Sequence, residues 1–254
     1  MNFSNQVCVV TGGSGGIGRV AAKQFVEAGG KVMLVDLDEA ALKDVVAELG
    51  EENATCFAAD VTDEAQVQAY VQATLHRFGR IDCFLNNAGI EGRVAPIVDY
   101  PVEEFDRVIA VNVRGVWLGL KYVMPVMAKA GGGSIVITSS TAGIKGGPGL
   151  SPYVTSKHAV IGMMRSSSRE GAANNVRVNT VNPSPTETRM MRSLEAGILP
   201  DQPEQAKQAM AASIPLGRYA EPEDVANLML FLCSGEASFL TGGVYMVDGG
   251  TSAT

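Results

Sequence analysis

A tyrosine and a lysine stand four residues apart in the stretch YVTSK, at Tyr153 and Lys157. In an α-helix, side chains with this spacing lie on one face, about a turn apart. A phenol titrates at pH ~10, and a cation within a few ångströms can lower that pKa by roughly 1–3 units. The pair could then exchange a proton with a substrate oxygen near neutral pH. Taken singly, Tyr153 could be an ordinary helix-start aromatic and Lys157 a solvated charge.

A glycine-rich stretch, TGGSGGIG at 11–18, lies between a predicted strand and a predicted helix. Backbone amides at the start of a helix attract phosphate, and glycine lets the phosphate come close. Gly12, Gly16 and Gly18 have the spacing GxxxGxG, not the GxGxxG of many dinucleotide-binding folds. An ordinary glycine-rich turn is the alternative, but the flanking strand and helix favour a dinucleotide site.

An acidic residue, Asp36, ends the second predicted strand. A carboxylate at this position can accept hydrogen bonds from the adenosine ribose hydroxyls and would repel a 2′-phosphate. Gly15 and Leu37 stand where basic residues could have bound that phosphate. We therefore predict NAD rather than NADP as the cofactor, with Asp60 and Val61 near the adenine; a simple turn aspartate is the alternative for Asp36.

The composition excludes several classes of function. A net charge of −7 and a pI near 4.9 argue against a nucleic-acid surface, which needs a basic stripe. The apolar runs are too short to span a bilayer, and none has the features of a secretion signal. The four cysteines, Cys8, Cys56, Cys83 and Cys233, are predicted to be buried free thiols. We expect a cytoplasmic protein without a metal site, a nucleic-acid partner or a membrane partner.

Short apolar runs alternate with helical patterns along the chain. The predicted strands cover 6–11, 31–36, 55–59, 81–87, 134–140, 176–182 and 243–247. The predicted helices cover 17–28, 39–49, 63–78, 102–111, 113–130, 153–173 and 222–233. This alternation predicts one α/β domain over 1–254, a doubly wound parallel sheet with helices on both faces. Residues 188–220 are predicted to form a mobile insertion with one or two short helices.

The motifs occur together in one order. TGGSGGIG, Asp36, NNAG (86–89), Asn112, Ser140, YVTSK and VNPSPTETRM (181–190) follow one another in the order and spacing of the short-chain dehydrogenase/reductase superfamily, which the chain resembles over almost its whole length. The resemblance implies a Rossmann-type fold of seven parallel strands, a nicotinamide cofactor and a homotetramer. The insertion at 188–220 is predicted to be a substrate-binding lid.

The resemblance implies a catalytic set of Asn112, Ser140, Tyr153 and Lys157. Tyr153 would be the acid/base, and Lys157 would bind the nicotinamide ribose and lower the pKa of the tyrosine. Ser140 would orient the substrate oxygen, and Asn112 would interrupt a helix and hold a water that relays protons to Lys157. Singly, Ser140 could only end a strand and Asn112 could only cap a helix.

Further residues are implied to bind the cofactor. They are Gly12, Ser14, Gly16, Ile17, Gly18, Asp36, Leu37, Asp60, Val61, Asn87, Ala88, Gly89, Tyr153, Lys157, Pro183, Ser184, Thr186 and Thr188. The chain departs from the family at Pro183-Ser184-Pro185, where the family usually has Pro-Gly. Serine tolerates positive φ less well than glycine, and proline fixes φ, so we expect altered contacts to the nicotinamide here.

The residues expected to line the substrate pocket are mostly apolar. They include Ile144, Leu150, Pro185, Met190 and Met191. Arg189 and Arg192 are interpreted as lid surface, so an uncharged secondary alcohol or ketone is predicted, with a cyclic ring as one form. RFGRID (77–82) and NNAGIEG (86–92) also resemble family members of the levodione reductase type, which act on cyclic ketones.

Two other functions remain open from the sequence. A carrier-linked 3-oxoacyl reductase is common in the family, although such enzymes usually prefer NADPH, which Asp36 disfavours. A regulator that senses NAD without turnover is the other alternative. The retained Asn112, Ser140, Tyr153 and Lys157 argue against it, because a sensor does not need groups that move protons.

Overall fold

Parallel strands form a single sheet through the centre of the described chain. The computed structural model describes residues 1–253; Thr254, included in the predicted domain 1–254, lies outside them. Within the described residues the strands are β1 (Val7–Thr11), β2 (Lys31–Asp36), β3 (Ala54–Ala58), β4 (Cys83–Asn86), β5 (Gly133–Thr138), β6 (Val176–Pro183) and β7 (Val244–Val247). They are ordered β3-β2-β1-β4-β5-β6-β7, with every neighbouring pair parallel. The predicted seven-stranded doubly wound sheet is confirmed.

Helices cover both faces of this sheet. They are α1 (Gly16–Glu27), α2 (Glu39–Leu49), α3 (Glu64–Phe78), α4 (Val102–Ile109), α5 (Val116–Lys129), α6 (Ser151–Ala172), α7 (Arg189–Ile198), α8 (Pro203–Ala212) and α9 (Pro222–Cys233). Phe25 of α1 and Leu230 of α9 belong to the apolar core on one face. Tyr70 of α3 and Met164 of α6 belong to the core on the other face. The central strands are apolar on both sides because each face is covered by a helical layer.

The strand order reverses between β1 and β4, which are neighbours in the sheet. In open parallel sheets, the crevice outside the carboxyl ends of the strands at such a reversal is where ligands bind. Thr11 ends β1, Asn86 ends β4 and Thr138 ends β5. The glycine loop, the NNAG stretch and the Ser140 segment therefore all leave the sheet at one edge.

The helix that carries Asn112 is widened rather than broken. Residues Ala110–Gly115 form a π-helical turn that joins α4 directly to α5. Such a turn accommodates one extra residue and is frequent at functional sites. The sequence predicted two helices, 102–111 and 113–130, and the structure corrects this to one continuous helix with Asn112 buried in its wide turn.

Several element boundaries differ from the sequence-based ones. The helix predicted at 153–173 begins at Ser151, since Pro152 suits a first helical turn. The strand predicted at 134–140 ends at Thr138, and a short 3₁₀ helix, Thr141–Gly143, follows Ser140. Tyr153 consequently lies in the first turn of α6, with Lys157 one turn further along the helix.

The predicted insertion at 188–220 contains α7 and α8, so the expected short helices are confirmed. A small apolar cluster of Met191, Leu194, Ile214 and Tyr219 holds this region together. Its action as a lid stays a prediction. Across residues 1–253, no helix has the length and apolar character that a membrane crossing requires.

Candidate active site

The glycine loop is folded too tightly for side chains. Gly12 has a φ of +67°, and a Cβ on Gly18 would lie 2.2 Å from the carbonyl oxygen of Gly12. A Cβ on Gly16 would lie 2.8 Å from Cγ2 of Thr188. The loop therefore packs against the segment after β6. Its backbone amides, not covered by side chains, lie at the start of α1. This cradle fits the diphosphate of a dinucleotide, and a side chain at Gly16 or Gly18 would fill it.

Asp36 lies beside the same loop. One oxygen of its carboxylate, Oδ2, accepts hydrogen bonds from the Ser14 amide at 3.1 Å and from the Ser14 hydroxyl at 2.6 Å. The other, Oδ1, accepts from the Leu37 amide at 2.8 Å. The carboxylate is thus oriented at the end of β2, with the exposed Leu37 side chain next to it. Its charge fits ribose hydroxyls and opposes a 2′-phosphate.

The stretch Asn87–Ala88 is held by a residue that sequence reasoning missed. The hydroxyl oxygen of Thr11 accepts hydrogen bonds from the amides of Asn87 at 3.0 Å and Ala88 at 3.1 Å. The Thr138 hydroxyl donates to the Asn87 side-chain oxygen at 2.9 Å. Threonines at the carboxyl ends of β1 and β5 were the available signal. They fix the backbone on which the predicted cofactor residues Asn87, Ala88 and Gly89 stand.

The predicted adenine-side residues lie against the widened helix turn. Asp60 accepts a hydrogen bond from the Thr62 amide at 2.8 Å. Val61 is so close to Gly115 that a Cβ on that glycine would lie 2.8 Å from the valine Cγ2. The structure therefore places Asp60 and Val61 at the carboxyl edge, between β3 and the π-helical turn.

Asn112 uses its side-chain amide to fix the chain after NNAG. The amide oxygen accepts from the Ile90 amide at 2.8 Å, and the amide nitrogen donates to the Ile90 carbonyl at 2.8 Å. The same nitrogen donates to the Ser156 hydroxyl at 3.0 Å. A Cβ on Gly89 would lie 3.3 Å from Asn112 Oδ1 and 3.5 Å from Lys157 Nζ. Asn112, Gly89 and Lys157 are thus neighbours.

The Lys157 amine is buried at the end of β5. Its side chain is held by Nζ, which donates to the Thr138 carbonyl at 2.8 Å, and its backbone carbonyl accepts from the Ser139 hydroxyl at 3.0 Å. Nζ lies 5.4 Å from the centre of the Tyr153 ring. Burial lowers the pKa of this amine to about 8. Lys157 is therefore still mostly protonated at neutral pH.

Tyr153 titrates in the opposite direction from the sequence-based expectation. Burial raises the pKa of its phenol, a hydrogen bond with Ser140 lowers it, and the charge of Glu91 raises it. Lys157 is not among the groups that lower this pKa, so its expected effect on the phenol stays a prediction. The Lys157 amine is directed to the Thr138 carbonyl, and the loss of solvent around the phenol is the largest influence on its titration. The phenol stays protonated at neutral pH.

Ser140 links the tyrosine to the segment after β6. Its hydroxyl is within hydrogen-bonding reach of Tyr153. The hydroxyl also accepts from the Ala142 amide at 3.1 Å and makes a long contact of 3.4 Å to the Pro183 carbonyl. Tyr153, Ser140 and Lys157 therefore converge on one small region, where a substrate oxygen can meet two hydroxyl groups.

The segment 183–188 adopts its course without strain. Pro183 pairs with Val247, and the Ser184 amide donates to the Val247 carbonyl at 3.0 Å. The Pro185 carbonyl accepts from the Ala220 amide at 2.9 Å. In residues 1–253 the positive φ angles outside glycine belong to Asn5 and Asn175, so Ser184 needs none. The hydroxyls of Thr186 and Thr188 bond back within this segment, to the carbonyls of Ser184 and Thr186.

The predicted substrate residues are only partly brought together. Leu150 and Met191 pack in the same apolar cluster, with Val94. Ile144 is exposed, and Pro185 and Met190 are half-buried. Leu150 directly precedes α6, the helix that carries Tyr153 and Lys157.

Charges at the base of α7 are paired with one another. Arg192 lies 2.7 Å from Glu187 and 3.1 Å from the buried carboxylate of Glu195. Lys207 of α8 lies 2.7 Å from Glu187. Glu187 stands between Thr186 and Thr188, so it connects both short helices to the predicted nicotinamide segment. Sequence reasoning interpreted Arg192 as lid surface and missed Glu187.

With Tyr153 and Lys157 in the roles that the family resemblance implies, their two pKa shifts predict different pH profiles for alcohol oxidation and ketone reduction. Alcohol oxidation would need the phenolate of Tyr153, whose pKa is raised, so its kcat/KM is expected to increase about tenfold per pH unit from about pH 6 to about pH 8, above which Lys157 loses its charge. Ketone reduction needs the protonated phenol and the Lys157 cation, so its kcat/KM should stay level at neutral pH and fall above about pH 8. Initial rates in both directions over this range test the assignment, and parallel profiles would contradict it.

Comparisons with known proteins agree with this geometry. A family model described as enoyl-(acyl carrier protein) reductase matches residues 12–252. The levodione reductase of Leifsonia aquatica is 39% identical over 255 residues, which cover 99% of this chain and 96% of the relative. A crystal structure of levodione reductase superposes with a TM-score of 0.96, with 100% of both chains covered.

Two further solved structures are similar and contain a cofactor. NAD⁺-bound xylitol dehydrogenase has a TM-score of 0.93 and 34% identity, covering 98% of this chain and 100% of that chain. The 3-ketoacyl-(acyl-carrier-protein) reductase of Brucella melitensis, complexed with NADH, has a TM-score of 0.91 and 35% identity, covering 98% of this chain and 99% of that chain. These similarities extend over the whole sheet and its helices.

Proposed function

Because the chain belongs to the short-chain dehydrogenase/reductase family of oxidoreductases, we propose that it transfers a hydride between NAD(H) and an uncharged, hydrophobic or cyclic secondary alcohol or ketone. The observation that carries this proposal is the convergence of Tyr153, Ser140 and Lys157 at the carboxyl edge of the sheet, next to the glycine loop and Asp36. The roles of these residues remain predictions.

Side chains of the protein would transfer the proton, and the cofactor would transfer the hydride. When bound, NADH supplies the hydride from its nicotinamide ring. In ketone reduction the Tyr153 hydroxyl donates its proton to the carbonyl oxygen, and the Ser140 hydroxyl stabilises the negative charge that develops there. The charge of Lys157 then stabilises the phenolate that remains. Alcohol oxidation uses the same groups in reverse, with the phenolate as base.

The preference for NAD is supported by the oriented carboxylate of Asp36, which bonds Ser14 and the Leu37 amide. It would accept from the ribose hydroxyls and repel the 2′-phosphate of NADP. Two of the similar proteins were solved with NAD⁺ or NADH.

The substrate class is supported by the surroundings of the catalytic groups. Apolar side chains of Leu150, Met191 and Leu194 pack in one cluster, and Leu150 directly precedes the helix that carries Tyr153. Arg192 and Lys207 are neutralised by Glu187 and Glu195, so they leave little positive charge for an anionic substrate. The similar levodione reductase and xylitol dehydrogenase are named for a ketone and an alcohol without a charge.

A second candidate is reduction of a 3-oxoacyl group on a carrier. It is favoured by the likeness to the Brucella 3-ketoacyl-(acyl-carrier-protein) reductase, whose structure contains NADH. Since that relative contains NADH, Asp36 and a preference for NAD are compatible with both kinds of substrate.

A panel of ketones read at the nicotinamide absorbance separates these functions. We expect cyclic and hydrophobic ketones to give the highest kcat/KM, with NADH preferred over NADPH. A higher kcat/KM for an acetoacetyl thioester would favour the carrier-linked reductase and contradict the proposal. Tight NAD binding without turnover of any ketone would favour an NAD sensor instead.

We further propose that the protein assembles as a homotetramer in the cytoplasm. Large apolar side chains are exposed on two separate surfaces: Val102 and Trp117 on α4 and α5, and Phe239 before β7. Two self-complementary contacts of this kind would give a closed assembly of four copies. The free thiols of the described chain fit a reducing compartment. Light scattering during size-exclusion chromatography measures the mass, and a monomer would contradict the proposal.

A further inference from the structure

Glu187 stands at the point where the insertion 188–220 leaves the rest of the protein and returns to it. Its backbone amide donates to the Ala220 carbonyl at 2.9 Å, and the neighbouring Thr186 forms a parallel bridge with Ala220. The start and the end of the insertion are therefore fixed to each other by backbone contacts. The position of α7 and α8 relative to this base depends on side chains.

The carboxylate of Glu187 uses one oxygen for each of these helices. Oε2 accepts a hydrogen bond from Arg192 of α7 at 2.7 Å, and Oε1 lies 2.7 Å from the amine of Lys207 of α8. The side chains of Glu187 and Lys207 are 29% and 28% exposed, so solvent screens this pair less than it screens a pair on an open surface. One carboxylate therefore joins two consecutive helices to one backbone position.

Both cations have a second contact that holds them in place. Arg192 lies 3.1 Å from the buried carboxylate of Glu195 on the same helix. A buried carboxylate needs a partner charge or hydrogen bonds, so this pair fixes the direction of the guanidinium. The Arg192 guanidinium carbon and the Lys207 amine lie 5.9 Å and 5.8 Å from the centre of the Tyr219 ring. The charges therefore lie against the apolar cluster that contains Tyr219.

Glu187 is also joined to the glycine loop through the next residue. Thr188 packs so closely on Gly16 that a Cβ on this glycine would lie 2.8 Å from the threonine Cγ2. The Thr188 hydroxyl donates to the Thr186 carbonyl at 3.2 Å, a bond that spans Glu187. A dinucleotide held by the glycine loop would restrain Thr188, and Glu187 would pass that restraint to α7 and α8. Contiguous contacts of this kind can carry energetic coupling between two sites.

We propose that Glu187 is a positioning residue that couples the binding of NAD(H) to the position of α7 and α8. This role rests on the proposed function, because it requires that the glycine loop holds a dinucleotide. With the two ion pairs formed, α7 keeps Met191 packed with Leu150, which directly precedes α6. Loss of the Glu187 charge uncouples both helices from the cofactor and leaves the glycine loop intact.

Hydrogen exchange of the full-length protein, measured by mass spectrometry with and without NADH, tests the coupling. In the wild type, NADH should slow exchange by about fivefold or more in the glycine loop (11–18) and in α7 and α8. In Glu187→Gln the slowing in the glycine loop should remain, and the slowing in α7 and α8 should fall below about twofold.

The two regions separate failure of the coupling from failure of the proposed function. Slowing confined to the glycine loop of the wild type would overturn the coupling and leave the proposed function standing. Slowing in α7 and α8 that persists in Glu187→Gln would also overturn the coupling. If NADH slowed exchange in neither region of the wild type, the proposed function would fail, and the role of Glu187 with it.

Steady-state kinetics of the same variant give a second readout. Glu187→Gln should raise the KM for a cyclic ketone by about tenfold and leave kcat within about threefold, because the catalytic groups are unchanged. This split between KM and kcat is the signature of lost substrate binding. A lower kcat at constant KM would place Glu187 in the chemical step and contradict a positioning role.

Glu48→Gln is the matched control, because Glu48 also pairs with two cations, Arg19 and Lys23, and is 35% exposed. This variant should keep the slowing in α7 and α8 and the wild-type KM; loss of either would overturn the assignment to Glu187. Lys207→Met removes the contact to α8 and keeps the pair with Arg192, so the slowing in α8 should fall. Full slowing in α8 of Lys207→Met would show that apolar packing alone positions this helix, against the proposal.

Discussion

Replacing Tyr153 by phenylalanine is expected to lower kcat for ketone reduction by about 10²–10⁴-fold, which is the usual contribution of a positioned acid. The variant loses the hydroxyl that meets Ser140 and keeps the ring that packs 5.4 Å from Lys157 Nζ. NADH affinity should therefore change little. Steady-state kinetics, together with a fluorescence titration of NADH, separate these two effects.

Tyr122→Phe provides the control for this change. Its hydroxyl donates to Glu64 and accepts from Gln68 at 2.7 Å on the surface of α3 and α5, and it is not among the catalytic groups. Removal of this hydroxyl should leave kcat within twofold. A Tyr153→Phe enzyme with full kcat would show that another group supplies the proton, and would remove the basis of the proposed mechanism.

Asp36→Ala is expected to change the choice of cofactor. The variant loses charge-assisted hydrogen bonds to the ribose hydroxyls, each worth about 1.5–3 kcal/mol, and it loses the repulsion of a 2′-phosphate. The ratio of kcat/KM with NADH to kcat/KM with NADPH should therefore fall by about 10–100-fold. Measurement of both cofactors with one ketone gives this ratio directly.

The neighbouring Asp38 distinguishes a cofactor effect from a structural one. Its carboxylate caps α2 by accepting the Ala41 amide at 3.0 Å. Asp38→Ala should lower the free energy of unfolding by about 1 kcal/mol and leave the cofactor ratio unchanged. An unchanged ratio in Asp36→Ala would refute the role assigned to that carboxylate.

The topology could be predicted from the sequence because each central strand is apolar on both faces. The runs at 6–11 and 31–36 alternate with helical patterns, and that alternation leaves a parallel sheet as the consistent arrangement. The gathering of the glycine loop, Asn112, Ser140 and Tyr153 at one edge followed from the resemblance to a family. Element ends were less predictable, as at Ser151, where the tolerance of Pro152 in a first helical turn decides the boundary.

The titration of the catalytic groups was not predictable from spacing. The four-residue separation of Tyr153 and Lys157 correctly places them one turn apart, but it does not give the direction of the amine. That direction is set by the Thr138 carbonyl, an acceptor on another element. Burial of the phenol is likewise a property of the packed site. Long-range partners such as Thr11, which holds the amides of Asn87 and Ala88, have no local signature beyond their place at a strand end.

The π-helical turn at Ala110–Gly115 has a consequence for how this chain can change by insertion or deletion. Each helical residue advances the angular phase by about 100°, so one extra residue rotates everything that follows. The buried face of α5, which includes Leu118, Val123 and Met127, is in phase with the core only because of that rotation. Deletion of a single residue in the turn would point Trp117 and Lys121 inward. Packing of the core on this face of the sheet therefore requires the widened turn, whether or not catalysis requires it.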